Sequence, residues 1–340
     1  MQYLYSLTSN PNDFYYEQFL LSVASLKFLM PNATVVLLCD SKTKETLTEK
    51  RREYEKFVSK IITVNAPGNM PQIEVSRWVR TSMRRLVSGD FLFLDGDTIV
   101  TDDLSSIADM GIKFGACLDK HLLIDRHPKK ESIIEKDKHL GFNSYLSNRH
   151  FNGGVLFCAD IPETHKIFDR WHELWLFCRS KNIVRDQPAL NMAIYENASH
   201  FTELDGTWNC QIAYNGLPYL ANSKIIHYFA TDMVSNASPY IFASEEIHRH
   251  IKNAGFISDA ALELLKNPRE AFAPESQIIA GSEMLHVLNS DLFRSIFLLR
   301  KKMPRLFNFY NWIISICKKI AKFFIVRISR KKDGGVKHYN

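Results

Sequence analysis

The sequence lacks the features that mark membrane-spanning and disulfide-rich proteins. Its 340 residues contain no apolar run near the roughly 20 residues that a bilayer-spanning helix needs. Its six cysteines are scattered without a CxxC pair, and several lie inside apolar runs such as VVLLCD and GGVLFCAD. This pattern predicts buried free thiols in a reducing cytoplasm rather than disulfides or a zinc site. The first ten residues have neither a cationic start nor an apolar core, so no secretory signal is predicted.

Acidic residues are almost absent from the end of the chain. Residues 294–340 hold 13 Lys and Arg against one acid, Asp333, whereas residues 1–293 hold 30 basic and 36 acidic residues. In this basic tail, aromatic and aliphatic residues are interleaved with cations, and Lys318, Lys319 and Lys322 fall on neighbouring helical positions. That composition is typical of an amphipathic helix on an anionic membrane surface. A core-docked helix and a nucleic-acid arm are the alternatives, but the apolar content argues against the arm, and no nucleic-acid partner is expected.

Short apolar runs alternate with helical patterns over residues 1–235, which predicts an α/β sheet domain. The predicted strands are Tyr3–Leu7, Thr34–Cys39, Ile61–Val64, Phe91–Leu94, Phe114–Leu118, Val155–Cys158 and Ile225–Phe229. The predicted helices are Phe14–Met30 with Asp13 as N-cap, about 43–58, about 73–87, 163–181 and 186–197. The polar stretch 119–150 is long for a connection, which is typical of a lid or binding loop. Residues 236–293 read as short helices broken by Gly255, Pro268 and Pro274, and residues 294–340 form the basic tail.

Two acids follow an apolar strand in FLFLDGDTIV, residues 91–100. Ligands of open α/β sheets bind beyond the carboxyl ends of strands, so Asp95 and Asp97 lie where a site is expected. Two carboxylates this close repel each other, and a divalent cation relieves the repulsion while also binding phosphate oxygens of a nucleotide diphosphate. Gly96 is predicted to allow a sharp turn between them.

The acidic pair has two other interpretations. Asp and Gly are common in ordinary strand-end turns, so the pair alone is weak evidence of function. The same pattern resembles the nucleophile loop of haloacid-dehalogenase-type phosphatases, in which the first Asp attacks phosphorus. That family places its loop at the first strand, whereas about 90 residues of strand and helix pattern precede Asp95 here. The position therefore favours the metal-binding interpretation.

Further segments accompany the acidic pair in a fixed order: YLYSLTSNPNDFYYEQFLLSVASLK, SRWVRTSMRRLVSGDFLFLDGD, GACLDK, HFNGGVLFC, RDQPALN and KIIHYFAT. Together they resemble the retaining glycosyltransferases of family eight, which include glycogenin and the bacterial lipopolysaccharide glucosyl- and galactosyltransferases. The resemblance covers about residues 1–232. It implies a GT-A-type domain with a mixed, mostly parallel central sheet flanked by helices, to which a C-terminal helical extension is added.

The resemblance also implies a donor site. Leu7, Thr8 and Ser9 would line the base and ribose, and Tyr15 or Tyr16 would stack on uracil. Arg80, with Arg77 as second choice, would pair with phosphate or donor-sugar oxygens. A first strand with an amphipathic helix, and arginines on a solvated helix face, are the structural alternatives.

Several polar residues would contact the donor sugar if the resemblance holds. Asp119 would bind its hydroxyl groups, Asn152 would face it, and Gly153 with Gly154 would admit it. Asp186 and Gln187 would lie on its β-face, although Asp186 is also placed to cap a helix. These four polar residues, Asp119, Asn152, Asp186 and Gln187, are the predicted catalytic residues.

His227 would be the third metal ligand beside Asp95 and Asp97, and this mixed oxygen and nitrogen set suits Mn²⁺ better than Mg²⁺. A packed core histidine is the alternative. The family commonly follows this histidine with a Gly and a Lys-Pro-Trp segment whose Lys reaches the diphosphate. Here the segment is ATDMVSNASPY, which has no Lys. The cation at the diphosphate is therefore unassigned by the resemblance.

The predicted function follows from these implications. The protein is expected to be a metal-dependent retaining glycosyltransferase that moves a hexose, glucose or galactose, from a UDP-sugar to a glycan or lipid-linked acceptor. Cell-surface polysaccharide or lipopolysaccharide synthesis is the expected context, in the cytoplasm at the inner face of the membrane. A phosphatase, or a nucleotide-sugar-binding protein with weak turnover, is the alternative.

Overall fold

A seven-stranded sheet organises the larger part of the molecule, which we describe from a computed structural model covering residues 1–68, 70–230, 238–273 and 282–317. The chain forms two units, Met1–Gln277 and Ile278–Asn340. The predicted three-part division, with boundaries after residues 235 and 293, stays a prediction. The segment that departs from the family pattern after His227 falls largely on residues 231–237, outside the described residues.

The central sheet is mixed and mostly parallel, as predicted. Its strands are β1 Gln2–Leu7, β2 Val35–Asp40, β3 Lys60–Val64, β4 Phe91–Leu94, β6 Phe114–Leu118, β7 Phe151–Cys158 and β8 Phe201–Glu203. They lie in the order β3-β2-β1-β4-β7-β6-β8. The pairs β3–β2, β2–β1, β1–β4 and β6–β8 are parallel, whereas β7 runs antiparallel to β4 and β6.

A second, three-stranded sheet joins β5 (Thr98–Val100), β10 (Ile225–His227) and β9 (Cys210–Gln211). Strand β10 runs antiparallel to β5, and their register pairs His227 with Thr98. This pairing brings a residue from position 227 beside the acidic turn at 95–97. Strands β5, β8 and β9 were not predicted, because each has only two or three residues and shows no readable periodicity.

Both faces of the central sheet are covered, which explains why its inner strands β2 and β4 are buried along their whole length. On one face, helix α1 packs residues such as Phe19 and Leu20 against the sheet. On the other, α6 and α7 contribute Trp171, Trp175 and Leu190. The helices of this unit are α1 Tyr15–Leu29, α2 Ser41–Thr46, α3 Gln72–Thr81, α4 Met83–Leu86, α5 Lys130–Leu140, α6 Pro162–Ser180, α7 Gln187–Glu196, α8 Leu217–Leu220, α9 Glu245–Ala254 and α10 Asp259–Leu264.

Three local predictions need correction. Helix α1 begins at Tyr15 with Phe14 at the cap position, and Asp13 instead binds the backbone N–H groups of Asn10 and Tyr15. The charged stretch 43–58 is not one helix, because Glu49 has a φ of +47° that interrupts it. Residues 119–150 are not an irregular loop, since they contain α5 and three 3₁₀ turns.

The second unit consists of helices in its described part. These are α11 (Ser282–Leu288), α12 (Asp291–Lys302) and α13 (304–317). Large apolar side chains on them are exposed, including Leu292 at 73%, Trp312 at 60% and Ile314 at 63%. Within the described residues no helix is long and apolar enough to cross a membrane. The predicted cationic positions Lys318, Lys319 and Lys322 lie outside the described residues.

The cysteines agree in part with the prediction. All six lie within the described residues and are free thiols, and five of them are buried. Cys317 in α13 is exposed.

Candidate active site

A cavity of about 690 Å³ opens at the carboxyl ends of β1 and β4. Because β1 and β4 are adjacent parallel strands, the segments that follow Leu7 and Leu94 meet at the same edge of the sheet. Residues from 119–129, from the start of β7 and from the start of α7 complete the wall. The segments that the sequence singled out, although separated by up to 220 positions, therefore surround one space.

Asp95, Asp97 and His227 form a cluster at one end of this cavity, which we call the metal end. One ligand atom from each lies within 4.8 Å of the others. The acidic turn is held by the Asp95 N–H, which donates to the Gly154 carbonyl at 2.8 Å, and by the Thr98 hydroxyl, which donates to the Asp95 carbonyl at 2.8 Å. His227 Nε2 lies 3.3 Å from Asp97 Oδ1. Two carboxylates and an imidazole are a donor set that fits a divalent cation such as Mn²⁺.

The charges at the metal end are strongly coupled. Burial raises the pKa of Asp95, and the neighbouring Asp97 raises it further, so that the Arg80 guanidinium at 3.3 Å compensates only in part. Burial also acts to raise the pKa of Asp97, but the charge and hydrogen bond of His227 outweigh it and lower that pKa overall. The pKa of His227 is raised by Asp97 in spite of burial. The cluster therefore holds a carboxyl group whose ionisation is disfavoured until more positive charge arrives.

Glycines make room for this arrangement. A Cβ on Gly154 would lie 2.4 Å from His227 Cε1, so this glycine makes room for the imidazole, and the predicted admission of a ligand by Gly153 and Gly154 stays a prediction. A Cβ on Gly153 would lie 3.1 Å from Leu190 and 3.2 Å from Arg80. Gly96 does not take a left-handed conformation; its Cβ would lie 3.4 Å from the Phe19 backbone, so it allows α1 to approach the acidic turn.

Asp119 and Asn152 lie together in another part of the same cavity, which we call the sugar end after the contact that the sequence predicts for it. Asn152 Nδ2 donates to Asp119 Oδ1 at 2.9 Å, and His127 Nε2 lies 3.0 Å from Asp119 Oδ2. Burial acts to raise the pKa of Asp119, but the hydrogen bond of His127, the charge of His150 and the Asn152 bond lower it well below its usual range. Asp119 is therefore an ionised carboxylate that the protein itself stabilises.

Asp186 and Gln187 also lie at the sugar end. The Asp186 carboxylate contacts Arg77 Nε at 3.2 Å and Arg80 Nε at 3.7 Å, so it pairs with arginines instead of capping α7. Arg80 additionally donates to the Gly153 carbonyl and pairs with Asp95. Gln187 Nε2 donates to the Phe151 carbonyl at 3.1 Å. Arg80 thus bridges the two ends, and Arg77 is the more exposed of the two arginines.

The residues predicted for the nucleotide separate into two groups. Leu7, Thr8 and Tyr15 line the cavity. Thr8 Oγ1 is buried and has no hydrogen-bond partner among the described residues. Ser9 is buried away from the cavity lining, where its N–H donates to Thr43 Oγ1 at 2.9 Å. Tyr16 is 1% exposed in the core beneath Arg51, whose guanidinium lies 4.6 Å from the ring centroid, so Tyr15 is the tyrosine available to a base.

Sequence reasoning missed several polar residues of the site. Lys120, Lys129 and Arg185 line the cavity, and they are cations for which the resemblance gave no role. Asn209 and His127 are buried behind the cavity wall and contact His227 and Asp119. Lys129 and Asn209 lie outside the segments that carry the resemblance, whereas Lys120 and Arg185 stand beside the assigned Asp119 and Asp186 without a role of their own. These residues became visible through their three-dimensional contacts.

Three solved structures to which the chain is similar share little sequence with it. A galactosyltransferase, LgtC, solved with donor and acceptor sugar analogs, has a TM-score of 0.49 and 17% identity over 77% of this chain and 99% of LgtC. Mouse xyloside xylosyltransferase 1 has a TM-score of 0.45 and 13% identity over 69% of this chain and 99% of the other. The glycosyltransferase GlyE of Streptococcus pneumoniae TIGR4 has a TM-score of 0.44 and 16% identity over 82% of this chain and 66% of GlyE. No curated protein matches the sequence.

The family comparison is decisive where these likenesses are not. The model of the family described as "Glycosyl transferase family 8" matches residues 4–232, about two thirds of the chain. That range contains every predicted site residue and all of the central sheet except the first two residues of β1. The protein belongs to glycosyltransferase family eight and is a retaining glycosyltransferase with a GT-A-type fold.

Proposed function

We propose that the protein transfers a hexose, glucose or galactose, from a UDP-sugar to a glycan or lipid-linked acceptor in a reaction that requires Mn²⁺ or Mg²⁺. The observation that carries this proposal is the cluster of Asp95, Asp97 and His227 within 4.8 Å in a cavity that Asp119, Asn152, Asp186 and Gln187 also line. A cation site beside sugar-binding groups suits a donor that joins a diphosphate to a sugar. Synthesis of cell-surface polysaccharide or lipopolysaccharide is the context we propose.

Asp95, Asp97 and His227 would hold the divalent cation, which when bound supplies positive charge to the diphosphate leaving group. Leu7, Thr8 and Tyr15 would hold the nucleoside, with Tyr15 stacking on the base. Lys120, Lys129 and Arg185 line the same cavity and are candidates among the described residues for the cation that the family pattern leaves unassigned.

The sugar end would orient the hexose. Asp119 would accept hydrogen bonds from sugar hydroxyl groups, and its lowered pKa keeps it able to accept them at neutral pH. Gln187 commits its Nε2 to the Phe151 carbonyl, so its Oε1 is the end of the amide that remains for the sugar. With Asp186, this oxygen would support the positive charge that develops at the anomeric carbon.

The reaction exchanges one bond for another at the anomeric carbon. The bond from that carbon to the diphosphate oxygen breaks, and the acceptor hydroxyl oxygen forms a new bond on the same side of the sugar. The acceptor proton moves to a phosphate oxygen of the leaving group, so the chain need not supply a separate base. The anomeric configuration is thereby retained.

A panel of nucleotide sugars tests the proposal. Release of UDP is measured with Mn²⁺ and again with a chelator, and the anomeric configuration of the product is read by NMR. We expect one UDP-hexose to react in a chelator-sensitive way, with Asp95→Asn as the inactive control. Equal rates with chelator would contradict metal dependence, UDP binding without turnover would point to a nucleotide-sugar-binding protein, and phosphate release without acceptor would point to a phosphatase.

We also propose that residues 294–340 attach the enzyme to the inner face of an anionic membrane, which places the enzyme in the cytoplasm. The support is chemical: in the described part of this segment, exposed apolar residues such as Trp312 and Ile314 occur with Arg294, Arg300, Lys301, Lys302 and Arg305. Such a mixture favours anionic lipid over a phosphate-tracking role. Flotation with anionic and with neutral vesicles, for the full chain and for residues 1–293, tests it. We expect flotation only for the full chain with anionic vesicles, and equal flotation of both proteins would remove the proposal.

A further inference from the structure

A continuous line of buried hydrogen bonds runs from the sugar end of the cavity to the metal end. It passes from Asp119 to Asn152 at 2.9 Å, from Asn152 to Asn209 at 3.1 Å and from Asn209 to His227 at 3.0 Å. All four residues are at most 7% exposed, and Asn209 is fully buried. Water is therefore a poor substitute for any missing partner in this line.

The direction of these hydrogen bonds is fixed at the Asp119 end. An ionised carboxylate can only accept, so Asn152 must turn its NH₂ group toward Asp119. The second partner of Asp119 also donates to it. His127 Nδ1 accepts the Lys129 N–H at 3.0 Å, which places the His127 proton on Nε2, where it donates to Asp119. Both oxygens of Asp119 are thus used as acceptors.

Asn152 transmits this direction to Asn209. With its NH₂ group on Asp119, Asn152 turns Oδ1 inward, and the Gly154 N–H donates to that oxygen at 2.9 Å, which independently identifies the atom as an acceptor. Asn209 must then offer its NH₂ group to the same oxygen. The amide of Asn209 consequently presents its Oδ1 to His227 Nδ1.

An amide oxygen accepts, so His227 carries a proton on Nδ1. The lone pair of the neutral ring is then on Nε2, the atom that lies 3.3 Å from Asp97 Oδ1 in the metal cluster. In the opposite tautomer, the Nε2–H group would point toward the cation. Two acceptors, Asn209 Oδ1 and His227 Nδ1, would then face each other. The stacking of Phe229 on the ring, at 4.1 Å and 6°, holds the plane of the imidazole but does not choose between the two tautomers.

We propose that Asn209 is a positioning residue that sets the tautomer and orientation of His227 for the metal, and that its own orientation is set by Asp119 through Asn152. This inference rests on the metal site of the proposed function and goes beyond it, because it couples the sugar end to the metal end. Residues that hydrogen-bond the nitrogen of a histidine that does not bind the metal commonly contribute a factor of about 10–100 to metal affinity.

The test measures Mn²⁺ affinity directly, from the EPR signal of free Mn²⁺ titrated into the full-length protein with and without UDP. Asn209→Leu keeps the approximate volume and removes the acceptor, so we expect binding about 10–100-fold weaker. Asn209→Asp keeps an acceptor for His227 Nδ1–H but loses the donor to Asn152 Oδ1, so we expect a smaller loss of affinity than in Asn209→Leu. Asn191→Leu is the matched control: Asn191 is also buried, at 3% exposure, but binds the Phe151 backbone instead of His227.

The outcomes distinguish failure of this inference from failure of the proposed function. If a folded Asn209→Leu protein binds Mn²⁺ as tightly as the parent, the role of Asn209 alone is overturned. The same holds if Asn209→Asp loses as much affinity as Asn209→Leu, or if Asn191→Leu does. Asn209→Ala, which also removes the acceptor, replaces the Leu variant if that variant does not fold. If the parent protein binds no Mn²⁺, or if Asp95→Asn leaves Mn²⁺ binding unchanged, the proposed function is overturned and this inference with it.

Discussion

Two carboxyl groups of the cavity, Asp119 and Asp95, have pKa values that shift in opposite directions. At the sugar end, Asp119 accepts hydrogen bonds from His127 and Asn152, and its pKa is lowered although it is buried. At the metal end, Asp95 has Arg80 at 3.3 Å and a second acid two residues away, and its pKa is raised. The sugar end is thus complete within the protein, whereas the metal end has a deficit of positive charge.

Asp119 is therefore stabilised by the protein before any ligand binds, whereas the cluster around Asp95 needs an incoming cation to balance its charge. A group whose pKa is lowered on folding adds to stability when it is ionised, and a group whose pKa is raised on folding subtracts from it. Substitution of Asp119 should therefore cost stability, while substitution of Asp95 should cost activity and spare stability.

Asp95→Asn should give the largest separation between activity and stability. We expect the rate of transfer to fall on the order of 10³-fold, because the charge that develops on the leaving group loses its main stabilisation. The free energy of unfolding without metal should stay the same or rise, because the repulsion with Asp97 is relieved. Steady-state kinetics with Mn²⁺ and urea denaturation with chelator measure the two quantities. A stability loss comparable to that of a core mutation would contradict the contrast.

Gly154→Ala should act on the metal end through geometry alone. The new Cβ would lie 2.4 Å from His227 Cε1, so the imidazole must shift, and we expect Mn²⁺ affinity to fall by about 10–100-fold. Gly153→Ala is the milder comparison, because its Cβ would meet Leu190 and Arg80 at 3.1 and 3.2 Å and not His227, so we expect a smaller loss. Calorimetric titration with Mn²⁺ compares the two proteins, and similar affinities in both would count against His227 as a ligand.

Asp186→Asn should have its main effect on stability at the sugar end. It removes the carboxylate that Arg77 and Arg80 share, and breaking a buried ion pair typically costs about 3 kcal/mol or more. Chemical denaturation at neutral pH measures the loss. A free energy of unfolding within error of the parent would show that Asp95 and the Gly153 carbonyl satisfy Arg80 by themselves.

Asp119→Asn should produce the smallest effect, a change in how stability depends on pH. Because the folded pKa of Asp119 lies below its unfolded value of about 4, its contribution is present above that value and is lost as the pH falls toward the folded pKa. Part of the parent's loss of stability below about pH 4 should therefore be missing in the variant. Thermal unfolding at a series of pH values follows both proteins, and parallel curves would contradict the assignment.

The sequence predicted the parts of this arrangement that depend on local pattern. Buried strands such as Phe91–Leu94 and the acids that follow them are visible as an apolar run and its end, and the order of short motifs indicated which segments belong together. The partners of these residues were not predictable. Asn209 and His127 act through contacts 18 and 8 positions away along the chain, and nothing in their neighbourhoods marks them.

Short elements and special backbone angles were also beyond the sequence. Strand β5 has three residues, yet its pairing with β10 brings His227 to Asp97. The positive φ of Glu49, a residue type that rarely adopts it, divides a stretch that otherwise has a helical pattern. The role of Gly154 became clear only when the imidazole beside it was located.

The most direct measurement is anomalous diffraction at the manganese edge from crystals soaked in Mn²⁺ and UDP. The proposed function predicts a single strong peak in contact with Asp95, Asp97 and His227 Nε2, adjacent to the diphosphate. Bound UDP with no manganese at these three side chains, or manganese held elsewhere in the cavity, would contradict it.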